Sequence, residues 1–253
     1  MKSLFALSLA MGLAFAGAVA ASAAEFSPAQ KDEIGEVVKD YLVAHPEALR
    51  AALDALDKHE KEAAASAREK IVDDQSGLLF SSPHQGTVGN PKGGATLVEF
   101  FDYNCHYCKG ALPDIARLMK DDPNLKVVLK DFPVLGPDSV EAARVATAVR
   151  NQLSGDKFWQ FHQKLLGMHG AVGKAEALAV AKEFGADMDK LNKDMTSPEV
   201  RTGIEEVMHM ADALQINGTP SFVVGQDVVV GAVGYDQLKE KIDSVHKCGR
   251  AVC

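Results

Sequence analysis

The sequence has no basic stripe. Its 253 residues carry 35 acidic and 27 basic side chains, a formal net charge of −8, and the acidity is spread along the chain. A nucleic-acid partner and an anionic membrane surface are therefore not expected. Cysteine is scarce, with four in all. Beyond the first two dozen residues no stretch is apolar enough to cross a bilayer. A hydrophobic fraction of 47% still provides for one substantial core and a smaller appendage.

The one long apolar run is at the start. Lys2 supplies a positive n-region, Leu4 to Val19 an Ala/Leu-rich h-region, and Ala21-Ser22-Ala23 a small-x-small cleavage site. Residues 1–23 are expected to be a signal peptide, with the mature chain starting at Ala24 or Glu25. An uncleaved anchor is the weaker alternative, because the run is short. No cysteine lies near the cleavage site, which argues against a lipoprotein. Export implies an oxidising compartment, here a bacterial periplasm.

What the chain does have is a cysteine pair in a telling place. A β-type run, Thr96 to Phe101, leads to Asp102-Tyr103-Asn104-Cys105-His106-Tyr107-Cys108-Lys109, and a helical stretch leaves to about Lys120. Free backbone N–H groups and the positive end of a helix dipole then face the first sulfur. Both favour thiolate, so Cys105 is the expected nucleophile. Cys108, one turn further in, is placed to attack a mixed disulfide. A zinc site needs four ligands, and the other two cysteines, Cys248 and Cys253, lie at the far end of the chain. A local disulfide is expected between those two.

The remaining pattern is mostly helical. Ser27-Pro28 opens a helix carrying Ile34, Val37, Val38, Tyr41 and Leu42; Pro46 opens a second carrying Leu49, Ala52, Leu53 and Leu56, and its pattern runs to about Val72. Two such helices make a poor core alone. Residues 24–77 are read as a helical oligomerisation segment, with docking on the body as the alternative. The Gly/Pro/Ser-rich residues 78–94 are read as a linker. Residues 95–136 and 216–247 carry strand and helix signals that together match a thioredoxin fold. Residues 137–215 form an inserted helical domain, and residues 248–253 a cysteine-containing tail. Pro113 is expected to kink the helix it lies in. The fold class is thus α/β.

Gly218-Thr219-Pro220-Ser221-Phe222 directly precedes a strand pair. A proline there suggests a cis bond facing the two sulfurs, leaving the backbone at Thr219 open to an extended substrate. His106, between the cysteines, could stabilise a thiolate or merely be solvated. Tyr107 shapes the adjoining surface. Met208-His209-Met210 and Met168-His169 invite a copper reading, but methionine in helical patterns is normally core filler, so no metal and no cofactor are expected.

The segments Val98 to Lys109, Lys130-Asp131-Phe132-Pro133 and Gly218 to Phe222 together resemble the DsbA-like thioredoxin family, with the closest likeness to its ScsC-like members. Residues 40–49 are similar to the N-terminal helical segment of those members. The resemblance implies a reactive Cys105, a resolving Cys108, a cis Pro220, and a buried carboxylate at Glu99 able to relay the Cys108 proton. A structural Glu99 held in a salt bridge is the alternative, with Lys130 as the candidate partner. Thr219 before the cis-proline resembles the isomerase branch. The implied activity is a periplasmic disulfide isomerase acting on exported proteins and kept reduced by a membrane partner. A dithiol oxidase recharged by a membrane oxidant is the alternative. From another class, a holdase or copper-handling protein remains.

Overall fold

The computed structural model describes residues 26–253. The expected signal peptide, residues 1–23, lies outside the described residues. In order the elements are α1 (Pro28–Ala44), α2 (Pro46–Asp74), α3 (Ser76–Ser81), β1 (Gly86–Gly89), β2 (Ala95–Phe101), α4 (His106–Asp121) and β3 (Leu125–Asp131). Then come α5 (Pro137–Val149), α6 (Gly155–Leu166), α7 (Lys174–Glu183), α8 (Met188–Asp194), α9 (Pro198–Ala213), β4 (Ser221–Val224), β5 (Asp227–Val230) and α10 (Tyr235–Cys248). The chain divides into two units, at Lys58 and His59, within α2.

The first unit holds α1 and the start of α2. Ser27 caps α1 in a reciprocal capping box with Gln30, and Pro28 takes the first helical position. No residue of α1 is buried. Ile34, Val37, Val38 and Tyr41 on α1, and Leu49, Leu53 and Leu56 on α2, are all exposed. A groove of about 350 Å³ lies between Phe26, Ile34, Val37 and Val38.

The second unit is built on a five-stranded sheet in the order β1-β3-β2-β4-β5. Only β2 and β3 run parallel, with Glu99 opposite Leu129 and Phe100 opposite Lys130. Strand parity divides the core in two. Leu97 and Phe101 face a large cluster containing Cys108, Ile115, Phe161 and Ile242. Val98 and Phe100 face a smaller one with Val72, Leu79, Val207 and Met210. The helices α5 to α9 stand between β3 and β4 in sequence, as the insertion reading expects. Of these, α8 is short and mostly polar, with Leu191 its buried residue.

Residues 78–94 are not a bare linker. They contain the end of α3 and the whole of β1, which pairs antiparallel with β3. Leu79 is fully buried, and Lys126 and Lys130 donate to the carbonyls of Phe80 and Leu78 at 2.6 and 2.7 Å. Gly86 lets the Phe158 ring approach closely, since a Cβ would stand 2.7 Å from it and the ring would have to shift. Residues 24–77 are not one segment either. Val72, near the end of α2, is 1% exposed inside the smaller core cluster, so this end of α2 docks on the sheet unit instead of remaining free for self-association. Pro113 lies inside α4, which continues to Asp121.

Candidate active site

The parallel strand β2 ends at Phe101 beside β3, and the turn at residues 102–105 delivers Cys105 to the start of α4 as its N-cap. Asp102 fixes this turn. Its buried carboxylate accepts from the Asn104 amide (2.8 Å), the Ser139 hydroxyl (2.7 Å) and the Val134 and Leu135 amides (2.9 and 3.0 Å). The Cys108 amide donates to Cys105 Sγ at 3.4 Å, and the Cys105 thiol donates to the Thr219 carbonyl at 3.2 Å. Thr219–Pro220 is a cis peptide. The expected cysteine pair and proline loop are therefore brought together, one from β2–α4 and the other from the start of β4.

The two thiols have opposite electrostatics. Cys105 is lowered to about 5 from an ordinary thiol value near 9. Its largest cause is the hydrogen bond from Cys108; burial opposes it, and Thr219 and the Cys108 and Tyr107 amides add to the lowering. Cys108 is raised far above the ordinary value by that same hydrogen bond, then by burial and by the negative charge of Glu99. Cys105 keeps 5% of its surface exposed and Cys108 none. At neutral pH the geometry thus gives one thiolate at the rim and one thiol behind it.

Glu99 lies on β2, fully buried on the face that carries Leu97 and Phe101. Neither carboxylate oxygen has a hydrogen-bond partner among the described residues. Burial, then the Cys105 charge, pushes Glu99 up to about 8. The expected pairing with Lys130 is not formed. Lys130 shares its parity with Val128 and Phe132, on the opposite face, where its ammonium reaches Leu78 O at 2.7 Å and Glu206 at 4.0 Å. Parallel strands in register place Glu99 beside Leu129, so the two charged groups point away from each other.

His106 is exposed and stands edge-on to Tyr107, with ring centroids 5.9 Å apart. Tyr107 is 67% exposed. The sequence reading assigned nothing to His162, which lies buried between Phe101, Tyr103 and Trp159 and meets the Tyr103 hydroxyl at 3.2 Å through Nδ1. Burial, then the Arg150 charge, lowers it to about 3, so it is neutral. Its signal in sequence was only a histidine on an apolar helix face. At the far end of the unit Cys248 and Cys253 form a disulfide. No group of three or more candidate metal ligands occurs among the described residues.

The DSBA-like thioredoxin domain matches residues 96–243, more than half of the chain. The chain belongs to this family. The N-terminal domain of the copper resistance protein ScsC matches residues 30–63. A solved thioredoxin-like oxidoreductase from Silicibacter pomeroyi is 42% identical with a TM-score of 0.64, covering 68% of this chain and 98% of its own. The probable disulfide bond formation protein D of Bacillus anthracis is 24% identical over 181 residues, 67% of this chain and 82% of its own. The Na(+)/H(+) antiporter NhaA 1 of Salinispora arenicola is 28% identical over 151 residues, and the chain spans 23% of that relative's length. Within the family, the matched residues carry β2 to β5, the insertion and both halves of the cysteine–proline site, while β1 lies before them. No helix among the described residues is long and apolar enough to cross a membrane.

Proposed function

We propose that this chain is a periplasmic thiol–disulfide oxidoreductase that works as a disulfide isomerase on exported proteins. The observation that carries this reading is the Cys105 sulfur, held at the N-terminus of α4 with its thiol lowered to about 5 and set against Thr219 beside the cis-proline. In the reaction, Cys105 thiolate attacks one sulfur of a mispaired substrate disulfide. A Cys105–substrate disulfide forms, the old bond breaks, and the other substrate sulfur leaves as thiolate. That thiolate attacks elsewhere and rearranges the pairing. Where rearrangement stalls, Cys108 loses its proton, attacks Cys105 Sγ and releases the substrate in reduced form. Glu99, buried by the pair, takes that proton in its carboxylate form, which becomes easier to reach once the mixed disulfide removes the Cys105 charge, and returns it when the Cys108 thiol is restored.

Thr219 and Pro220 form the substrate rim, where an extended segment can pair with the backbone. Tyr107 and His106 shape the exposed side of that rim. The apolar residues of α1 and the first half of α2 serve self-association, supported by their exposure and by the ScsC N-terminal match. Isomerisation then needs a membrane reductant to keep Cys105 reduced. Export through the predicted signal peptide supplies the compartment.

One observation favours a second reading. A strongly stabilised Cys105 thiolate also makes the disulfide form oxidising, which suits a dithiol oxidase like the disulfide bond formation relative. Reactivation of a scrambled-disulfide substrate by the reduced protein separates the two. Reactivation that disappears in Cys105→Ala supports the isomerase. Oxidation of a dithiol substrate without reactivation supports the oxidase. Deleting residues 26–58 is expected to reduce the assembly size in light scattering and to weaken reactivation while leaving simple oxidation. Unchanged mass would remove the self-association part.

A further inference from the structure

The loop at residues 167–173 joins α6 to α7, and it is tied to the redox pair from both sides. From the α4 side, Lys109 donates to the carbonyls of Met168 (2.7 Å) and Gly170 (3.5 Å). From the other side, Asn104 reaches it from the position immediately before Cys105. Asn104 Oδ1 accepts from the Val172 amide at 2.7 Å, and Nδ2 donates to the Val172 carbonyl at 2.9 Å and to Ser139 Oγ at 3.0 Å. The side-chain amide therefore pairs with Val172 in both directions, as a neighbouring strand would. The two bonds also fix which atom is oxygen and which is nitrogen.

Few side chains can do this. Aspartate offers only acceptors, leucine neither group, and serine is too short to span both. Ser139 links the arrangement to Asp102, whose carboxylate holds the Asn104 amide and the Val134 and Leu135 amides. The inserted helices and the turn before Cys105 thus share one hydrogen-bonded frame. Cys105 is lowered first by the Cys108 hydrogen bond, then by the Thr219 side chain and by the Cys108 and Tyr107 amides; all but Thr219 belong to that turn and helix start. Their aim depends on where the turn sits.

The geometry points to Asn104 as a positioning residue: by pairing with Val172 it locks the insertion loop to the Cys105 turn and keeps the α4 amides directed at Sγ. Asn104 touches no reacting atom. It acts through the frame, and its loss loosens the turn without removing any group from the site. The inference rests on the reading of Cys105 as the nucleophile.

The test is the pH profile of alkylation at Cys105 in the full reduced chain, followed by mass spectrometry of that peptide, with amide exchange at Val172 measured in parallel. In Asn104→Ala the alkylation midpoint is expected to rise by about one pH unit, a tenfold change in the thiol–thiolate equilibrium. Exchange at the Val172 amide should accelerate in the same variant. Asn104→Gln keeps both amide groups on a longer arm and should fall between wild type and Ala; it carries the test if the Ala variant does not fold. A midpoint that stays put while Val172 exchanges faster overturns the inference, as does a midpoint that moves while Val172 stays protected. A wild-type midpoint at the ordinary thiol value would instead sink the nucleophile reading itself, so the two failures are distinguishable.

Discussion

The chain holds two cysteine pairs, and they sit at opposite ends of helices. Cys105 caps the N-terminus of α4, where Sγ receives the Cys108 amide. Cys248 is the last residue of α10, where the backbone presents carbonyls, and Gly249 ends the helix in the left-handed region at φ 78°. A thiolate at the first place is met by N–H groups and the positive end of the dipole; at the second it gains nothing from the helix. The partners differ too. Cys105 faces Thr219 and the buried Glu99 carboxyl stands behind the pair, whereas the tail disulfide closes a six-residue loop whose Arg250 reaches Glu69 at 3.5 Å. On the proposed reading the same chemical group is a reagent in the first place, and in the second it is already joined in a disulfide. Position on a helix and the neighbouring proton store decide which.

The sharpest way to break this contrast is to remove one pair at a time. Cys105→Ser is expected to reduce dithiol oxidation and scrambled-substrate reactivation to background. The double variant Cys248→Ser, Cys253→Ser should stay within about twofold of wild type in both assays, since it leaves the α4 site intact. Comparable losses in the two proteins would mean the tail takes part in exchange.

The next largest effect concerns the proton store. Glu99 titrates at about 8 in the folded chain against 4.5 when unfolded. For an acid raised in this way the folded state binds the extra proton, so the cost linked to its ionisation is absent below pH 4.5 and grows as pH rises to 8. Glu99→Gln should therefore match wild type in denaturant melts at pH 4 and be more stable at pH 7, by up to ~3 kcal/mol. The same variant should release mixed disulfides more slowly. A stability gain of equal size at pH 4 would show that Glu99 is not the titrating group.

Thr219→Val removes a single hydrogen bond, ranked behind that from Cys108 and ahead of those from the Cys108 and Tyr107 amides. The Thr219 side chain's hydrogen bond is one of several that lower Cys105. Its loss should raise the alkylation midpoint by a fraction of a pH unit, equivalent to ~1 kcal/mol or less. A shift larger than that of Asn104→Ala would place the proline loop, not the helix start, in control of the thiolate.

The parts of this site that carry local signals were legible in the sequence. A strand, two cysteines three apart and a helix start lie within a dozen residues, and Thr219-Pro220 stands directly before a strand. The rest depended on contacts between distant segments. β1 has a single buried valine among glycines and a threonine, so its composition reads as linker; only its pairing with β3 makes it a strand. The end of α2 belongs to a helix pair that makes a poor core alone, yet Ile71 and Val72 have the sheet to cover. Glu99 and Lys130 looked like partners because both are charged residues in neighbouring strands, and the parity of a parallel pair in register separates them. Asp102 and Asn104 stood inside the motif without a role, since their partners are 32 to 68 residues away.

The central claim is that Cys105 is a thiolate at working pH because of where α4 begins. Thiolate ultraviolet absorbance of the reduced protein against pH, in the Cys248→Ser, Cys253→Ser background, tests it most directly. A single transition with its midpoint near 5, absent in the triple variant that adds Cys105→Ser, is the predicted result. A midpoint near 9, or a low transition that survives loss of Cys105, would contradict the account.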